Sequence, residues 1–193
     1  MKKVIIHNRK WLLEDFLKVE EVQLEFEKVD GNMSNKVRLL SLERGDSVAA
    51  LIWHSSLKKL ILTKQFRLPA YNKGNGWMIE VIAGGLKEGE DPVEAIKREV
   101  EEEIGYLPAY VEYINSFFVS PGGTSEKILL YFSIVGDHEK TQAGGGLDDE
   151  NEDIELIYYT PEEFISAIDE GSINDAKTII AGLWLKSNLA KII

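Results

Sequence analysis

The feature that most constrains this chain is a cluster of acidic side chains on one short predicted helix. Four glutamates occur within five residues, directly after an arginine. They are Glu99, Glu101, Glu102 and Glu103, and they follow Arg98. Like charges at helical spacing repel each other, so a chain that folds this way must compensate them. A bound divalent cation is the obvious candidate.

The segment around the cluster carries the signals of a helix with defined ends. Asp91 is a predicted N-cap, Pro92 suits the first helical position, and Glu94 is expected to complete a capping box. Gly105 predicts the C-terminal end. An apolar stripe should face the core, formed by Val93, Ile96, Val100 and Ile104.

Helical geometry separates the glutamates into two groups. At about 100° per residue, Glu99, Glu102 and Glu103 fall within roughly 100° of arc beside the apolar stripe. Glu101 is expected to point to water. Carboxylate oxygens grouped in this way suit Mg²⁺ or Mn²⁺ better than zinc. The alternative interpretation of an isolated acidic run is a solvated helix face.

Residues at fixed spacing around the cluster match a family pattern. The pattern is the Nudix box, G-x5-E-x7-R-E-U-x-E-E-x-G-U, where U is apolar or aromatic. Every fixed position is matched, by Gly84, Glu90, Arg98, Glu99, Val100, Glu102, Glu103, Gly105 and Tyr106. The chain therefore resembles the Nudix hydrolases. The resemblance implies a loop–helix–loop that binds divalent cations and cleaves a nucleoside diphosphate linked to another moiety, with Glu90 bracing the loop.

The resemblance also implies roles for single residues. Glu99 and Glu103 would be direct metal ligands, and Glu102 a shared or indirect one. The carbonyl group of Ala83 would complete the coordination. Arg98 would orient a carboxylate, and with Glu103 it is counted among the predicted catalytic residues.

A second segment, residues 143–154, contains a run of three glycines that leads into an acidic run just before a predicted strand. Its E-N-E-D spelling resembles the catalytic loop of ADP-ribose pyrophosphatases. That likeness implies Glu150 as general base and Glu152 as a further metal ligand. The triple glycine is similar to GDP-mannose hydrolases, so the nucleotide stays open here. A solvated acidic loop is the alternative.

Three other residues match substrate-side positions of the family. Arg67 follows a predicted strand and resembles an arginine that contacts the substrate's diphosphate, a task that suits the planar guanidinium. Arg44 and Glu80 match further positions, although surface salt bridging is an equal alternative for both. The turn-rich loop 120–126 is similar to a loop of nucleotide-sugar pyrophosphatases.

Composition narrows the class of partner and the compartment. The net charge of −11 argues against nucleic acid or an anionic membrane as partner. The chain has no cysteine, which excludes disulfides and thiol catalysis and fits a reducing cytoplasm. No apolar run approaches the length of a membrane span, and Val4–Ile6 is too short for a signal peptide.

Strand-like segments alternate with a few helices, which predicts a mixed-sheet α/β or α+β sandwich. The expected strands cover residues 16–28, 36–43, 47–53, 60–65, 78–82, 112–119, 128–135 and 154–159. A further helix is expected to begin at Thr160 and end near Gly171. A last helix is expected to be capped by Asn174, with an inner face of Ile179, Ile180, Leu183 and Trp184. The resemblance implies the Nudix α/β/α sandwich from about residue 45.

The first 43 residues add strands before the matching part. We therefore expect a β-extension at 1–43 and a Nudix domain at 44–193. In the nucleotide-sugar branch a similar extension reaches across a homodimer, and Trp11, Phe16 and Phe26 offer aromatic surface for a base or a partner. Extra edge strands are the simpler alternative.

The leading functional hypothesis is Mg²⁺-dependent hydrolysis of nucleoside diphosphate sugars. ADP-ribose is the first expected substrate and GDP-mannose the second. Hydrolysis of nucleoside triphosphates fits the extension and the two loops less well. A catalytically silent nucleotide sensor is the alternative of another class, and the intact box argues against it.

Overall fold

The computed structural model describes residues 1–147 and 152–192. Ten strands, four α-helices and one short 3₁₀ helix (Asp137–Glu139) occur within this part of the chain. In order, the strands and α-helices are β1 (Val4–Glu14), β2 (Lys18–Phe26), β3 (Val37–Glu43), β4 (Ser47–His54), β5 (Lys59–Phe66), α1 (Leu68–Tyr71), β6 (Trp77–Glu80), β7 (Ile82–Gly85), α2 (Pro92–Ile104), β8 (Val111–Phe118), β9 (Lys127–Val135), β10 (Glu155–Tyr159), α3 (Pro161–Asp169) and α4 (Ala176–Ile192).

The chain divides into two compact units, and the first contains residues 1–46 and 118–127. Its sheet has the order β1-β2-β3, with both pairs antiparallel. The loop between β8 and β9 pairs with β3, since Leu42 N donates to Gly123 O (2.9 Å) and Ser125 N donates to Leu42 O (3.2 Å). The loop that resembles a substrate loop thus forms part of this unit.

The sequence analysis did not predict strand β1, because its pairing with β2 is irregular. Its pairing with β2 shifts between Ile6 and Asn8 and again between Trp11 and Leu13. Each shift interrupts the period of two by which strands are recognised.

The second unit contains residues 47–117 and, among the described residues, 128–147 and 152–192. Its mixed sheet has the order β10-β5-β4-β9-β8, with β6 beside β5 and β7 beside β4. β4 is parallel to β9 and antiparallel to β5 and β7.

Strand β4 lies at the centre of this unit and is buried along its whole length. Alternate side chains point to opposite faces of a strand. Val48 and Ile52 pack in one core cluster with α2, whereas Leu51 and Trp53 pack in another with α3 and α4. Helices therefore cover both faces of the sheet, which confirms the predicted α/β sandwich.

Two details of the prediction are wrong. The strand expected at 78–82 is divided between β6 and β7, because Val81 N donates to the Thr178 hydroxyl (2.9 Å). The last helix is capped by Asp175 rather than Asn174, since Asp175 Oδ2 accepts from Thr178 N (3.0 Å).

The inner face of α4 also differs from the prediction. Its buried residues are Thr178, Ala181, Gly182 and Leu185. Leu183 is 56% exposed, although Ile180 and Trp184 do pack against the core. A Cβ on Gly182 would overlap Ile168, so a small residue there lets α3 approach closely. No helix in residues 1–147 and 152–192 is both long and apolar enough to cross a membrane.

Candidate functional site

Helix α2 forms with most of the predicted end signals. The Asp91 carboxylate accepts from Val93 N (2.9 Å) and Glu94 N (3.2 Å), and Gly105 ends the helix in the left-handed region at φ 76°. The expected capping box is wrong, because the Glu94 carboxylate pairs with Lys97 (2.9 Å) instead. The helix therefore begins at Pro92 and ends at Ile104, so that all four glutamates of the acidic cluster lie within it.

Arg98 organises three carboxylates around its guanidinium group. Its Nε donates to Glu90 Oε1 (3.0 Å), while its Nη1 donates to both Glu99 Oε1 (2.8 Å) and Glu102 Oε2 (3.0 Å). Glu90 also accepts from Lys87 N (3.0 Å), so it ties the preceding loop to the helix. Arg98 thus orients two of the predicted metal ligands.

The Glu99 carboxyl group lies directly against the backbone of Gly84. A Cβ on Gly84 would overlap that carboxyl group, so only glycine fits without displacement. Ala83, whose carbonyl is a predicted ligand, precedes Gly84 in β7 and pairs with Ala49 of β4. Burial raises the pKa of Glu99, against the opposing charge of Arg98.

Glu103 is the most deeply buried acidic residue in the described part of the chain, at 4% exposure. Burial raises its pKa well above the usual value, and the charges of Glu99 and Glu152 add to this effect while Arg67 opposes it. Within the described residues no donor reaches Oε2 of Glu103. A buried carboxylate oxygen without a donor requires compensation, and a divalent cation would supply it.

These residues fit a metal ion, although they do not yet form a complete set of ligands. In residues 1–147 and 152–192, no three Asp, Glu or His side chains stand together as a finished metal-binding group. Two of the predicted ligands, Glu99 and Glu102, are engaged by Arg98. Arg98 binds one oxygen of each carboxylate, Oε1 of Glu99 and Oε2 of Glu102, so the other oxygen of each could still meet an ion.

The glycine run docks on the C-terminal end of α2, a role that the sequence analysis missed. Gly145 N donates to Glu103 O (2.8 Å), and Gly146 N donates to Glu102 O (3.2 Å). Gly144, Gly145 and Gly146 all have positive φ, at 76°, 115° and 86°. Such backbone favours glycine, so the triple glycine itself was the available signal.

This docking brings Glu152 to the box. Leu147 N donates to Glu152 Oε2 (3.1 Å), and the Glu152 charge raises the pKa of both Glu99 and Glu103. The predicted general base, Glu150, lies outside the described residues.

Arg67 and Glu80 form one ion pair near the cluster. Arg67 donates to both Glu80 oxygens, from Nε (3.2 Å) and Nη2 (3.1 Å), and its charge lowers the pKa of Glu103. Glu80 also accepts from Lys177 of α4 (2.7 Å), a cation that the sequence analysis did not identify. Lys177 lies 97 residues after Glu80, so no local sequence pattern indicates their contact.

Arg44 belongs to the first compact unit. Its Nε lies 3.6 Å from Glu126 Oε1, and it lines a surface cavity with Trp11 and Phe16. The salt bridge weighed in the sequence analysis therefore forms.

Comparison with known proteins identifies the family. The NUDIX domain model matches residues 43–181, which is most of the chain. The chain belongs to the NUDIX family. The resemblance read from the box is thereby confirmed, and Glu99, Glu102 and Glu103 of α2 occupy acidic positions of the NUDIX box.

Curated relatives cover nearly the whole chain. The ADP-ribose pyrophosphatase of Escherichia coli is 33% identical over 181 residues, which span 92% of this chain and 85% of the relative. The GDP-mannose pyrophosphatase of Pectobacterium atrosepticum is 31% identical over 91% of this chain and 90% of its own length. That of Shigella sonnei is 29% identical over 93% of both.

Proposed function

We propose that this NUDIX protein hydrolyses the diphosphate bond of nucleoside diphosphate sugars, giving a nucleoside monophosphate and a sugar phosphate. One observation carries the proposal: a buried oxygen of Glu103, with no donor among the described residues, lies in an acidic cluster that includes Glu99 and Glu152, with Arg67 nearby. An acidic cluster can bind cations, and an arginine beside it can bind phosphate groups.

NUDIX hydrolases use divalent metal ions, and we infer Mg²⁺ here, with Mn²⁺ as a substitute. Glu99 and Glu103 would hold the ion, helped by Glu102, Glu152 and the carbonyl group of Ala83. The bound ion supplies positive charge to the diphosphate and acidity to a water molecule.

The side chains then divide the remaining work. Arg98 would orient the carboxylates of Glu99 and Glu102, to which it donates hydrogen bonds. Arg67 would bind the diphosphate, because Glu80 orients its guanidinium group while the Arg67 side chain remains 42% exposed. Glu150 would accept the proton of the attacking water. Glu80 and Arg44 remain proposed substrate-side residues.

ADP-ribose ranks first among substrates and GDP-mannose second. The E-N-E-D spelling and the Escherichia coli relative favour ADP-ribose. The triple glycine and the Pectobacterium and Shigella relatives favour GDP-mannose.

We also propose a homodimer in which the β-extension at residues 1–43 serves the substrate site of the NUDIX domain at 44–193. The first unit supports it, because one face of its sheet carries exposed apolar side chains, among them Val4, Ile6, Phe26 and Leu39. Exposed apolar patches of this kind mark interaction surfaces. The lack of cysteine is our reason for expecting the cytoplasm.

A substrate panel tests the proposed activity. The protein is incubated with Mg²⁺ and ADP-ribose, GDP-mannose or a nucleoside triphosphate, and initial rates are compared. We expect kcat/KM to be highest for ADP-ribose and lowest for the triphosphate. Preferential cleavage of the triphosphate would contradict the proposal, and binding without any cleavage would favour the sensor.

A further inference from the structure

Lys177, at the start of α4, shares one carboxylate with the arginine assigned to the diphosphate. Its Nζ donates to Glu80 Oε2 (2.7 Å) and to Asp175 Oδ1 (3.1 Å). Arg67 donates to both oxygens of the same Glu80. Glu80 therefore joins two cations that come from distant parts of the chain.

The two cations differ in their access to solvent. The side chains of Lys177 and Glu80 are 11% and 7% exposed, whereas that of Arg67 is 42% exposed. In the described part of the chain, Arg67 Nη1 has no hydrogen-bond partner. Arg67 can therefore still meet an anion, whereas Lys177 faces carboxylates.

The charge of Lys177 affects the charge balance around Glu80 and Arg67. Burial acts to raise the pKa of Glu80, but Lys177 and Arg67 together hold that pKa below its usual value, so the carboxylate is ionised. An ionised Glu80 alone would cancel the charge of Arg67. Lys177 offsets the charge of Glu80, and Asp175, which Lys177 also contacts, makes the group of four side chains neutral. Without Lys177 the group would carry one negative charge beside Arg67 and would repel an anion.

Lys177 is also held in position by its neighbours. Asp175 Oδ2 accepts from Thr178 N (3.0 Å) and from the Thr178 hydroxyl (2.7 Å). That hydroxyl accepts from Val81 N (2.9 Å), at the junction of β6 and β7. The start of α4 is thus fixed to the strand segment that carries Glu80.

We propose that Lys177 is a positioning residue: it balances the charge of Glu80, so that Arg67 presents an oriented guanidinium, without a surplus negative charge beside it, to the substrate's diphosphate. The inference rests on the proposed function, which supplies the anion. Lys177 itself does not touch the substrate.

A set of four variants tests this role with ADP-ribose and Mg²⁺. Lys177→Met should raise KM about three- to tenfold and change kcat by no more than about twofold, because it removes attraction without touching the reacting atoms. Lys177→Arg should keep most of the wild-type KM. Lys177→Met combined with Asp175→Asn restores the charge balance, keeps an oxygen that accepts from Thr178, and should recover most of the loss.

Lys186→Met is the matched control. Lys186 lies on the same helix but pairs at the surface with Asp169 (3.0 Å), so its loss should leave KM and kcat unchanged. If Lys177→Met does not fold, Lys177→Gln replaces it, since the amide can still donate to Glu80. A double variant as impaired as Lys177→Met, or a fall in kcat at constant KM, would overturn the proposal.

Calorimetric titration with inorganic pyrophosphate and Mg²⁺ separates this inference from the proposed function. The dissociation constant should rise in Lys177→Met and return in the double variant. If the dissociation constants change in this way but the protein cleaves no nucleotide sugar, the proposed function would be wrong and the role of Lys177 would stand. Equal dissociation constants in all variants, or no binding by the wild type, would reject the role.

Discussion

Glu101 and its neighbours carry the same charge but have different surroundings. Glu99 and Glu102 are bound by Arg98, and Glu103 is buried. The Glu101 side chain makes no hydrogen bond or ion pair within the described residues. This division follows from helical spacing alone and could be predicted. That no donor in residues 1–147 and 152–192 reaches Glu103 Oε2 could not be predicted, because it depends on what the fold packs around the helix.

Substitution of single glutamates by glutamine tests the division. Glu99→Gln and Glu103→Gln should each lower kcat by at least about a hundredfold, because each removes a charged ligand and its electrostatic stabilisation. Glu101→Gln, the matched control on the same helix, should stay within about twofold of the wild-type kcat. Steady-state kinetics with ADP-ribose and Mg²⁺ measure all three. Equal losses at the three positions would refute the geometric argument.

The raised pKa of Glu103 predicts how the stability of the metal-free protein changes with pH. A carboxylate whose pKa is raised by folding stabilises the folded state while protonated, below the usual value of 4.5. That contribution is lost as the pH rises through the folded pKa. In EDTA, Glu103→Gln should therefore gain stability over wild type from about pH 5 to about pH 8, by about 1 kcal/mol or more.

Urea unfolding at the two pH values measures this difference. Adding Mg²⁺ should stabilise the wild type and have little effect on Glu103→Gln, since the variant lacks a charged ligand. A wild type that is more stable than Glu103→Gln in EDTA at the higher pH would show that the carboxylate is compensated without a metal.

Helix α2 is fixed by elements that the box does not contain. Gly84 of β7 lies against Glu99, and the glycine run binds the carbonyl groups of Glu102 and Glu103. The box and the helix ends could be read from local spacing. The docking of the glycine run could not, because it pairs segments far apart in the chain. The same holds for Lys177 and Glu80.

Two neighbouring glycines allow a controlled test of the packing around α2. A Cβ at Gly84 would overlap the Glu99 carboxyl group, whereas a Cβ at Gly85 meets nothing within 4 Å. Gly84→Ala should lower kcat by about tenfold or more by displacing Glu99, while Gly85→Ala should leave it nearly unchanged. Similar kinetics for the two variants would mean that Glu99 does not depend on this contact.

The α/β sandwich of the second unit could largely be predicted from the sequence. The three-stranded sheet of the first unit could be predicted only in part. Buried β4 and its neighbours have clear apolar patterns, so the α/β class and most strands could be recognised. In the first unit, β1 was hidden by two register shifts. The pairing of the loop at Gly123 with β3 was hidden by its distance along the chain.

The exposed apolar face of the first unit predicts self-association. Sedimentation at micromolar concentration should give a homodimer, because burying this face removes apolar surface from water. Leu39→Glu, which puts a charge on the face, should weaken the dimer, whereas Lys36→Glu, in the exposed segment before β3, should not. A monomeric wild type would remove the proposed role of residues 1–43 across a dimer.

Product analysis tests the central claim most directly: that the glutamates of the NUDIX box make this chain a nucleotide-sugar hydrolase. ADP-ribose is incubated with the protein and Mg²⁺ in ¹⁸O-labelled water, and the products are identified by mass spectrometry. We predict AMP and ribose 5-phosphate in equal amounts, with the label in only one of them, and no product from Glu103→Gln. Intact ADP-ribose after incubation with the wild type, or undiminished cleavage by Glu103→Gln, would contradict the account.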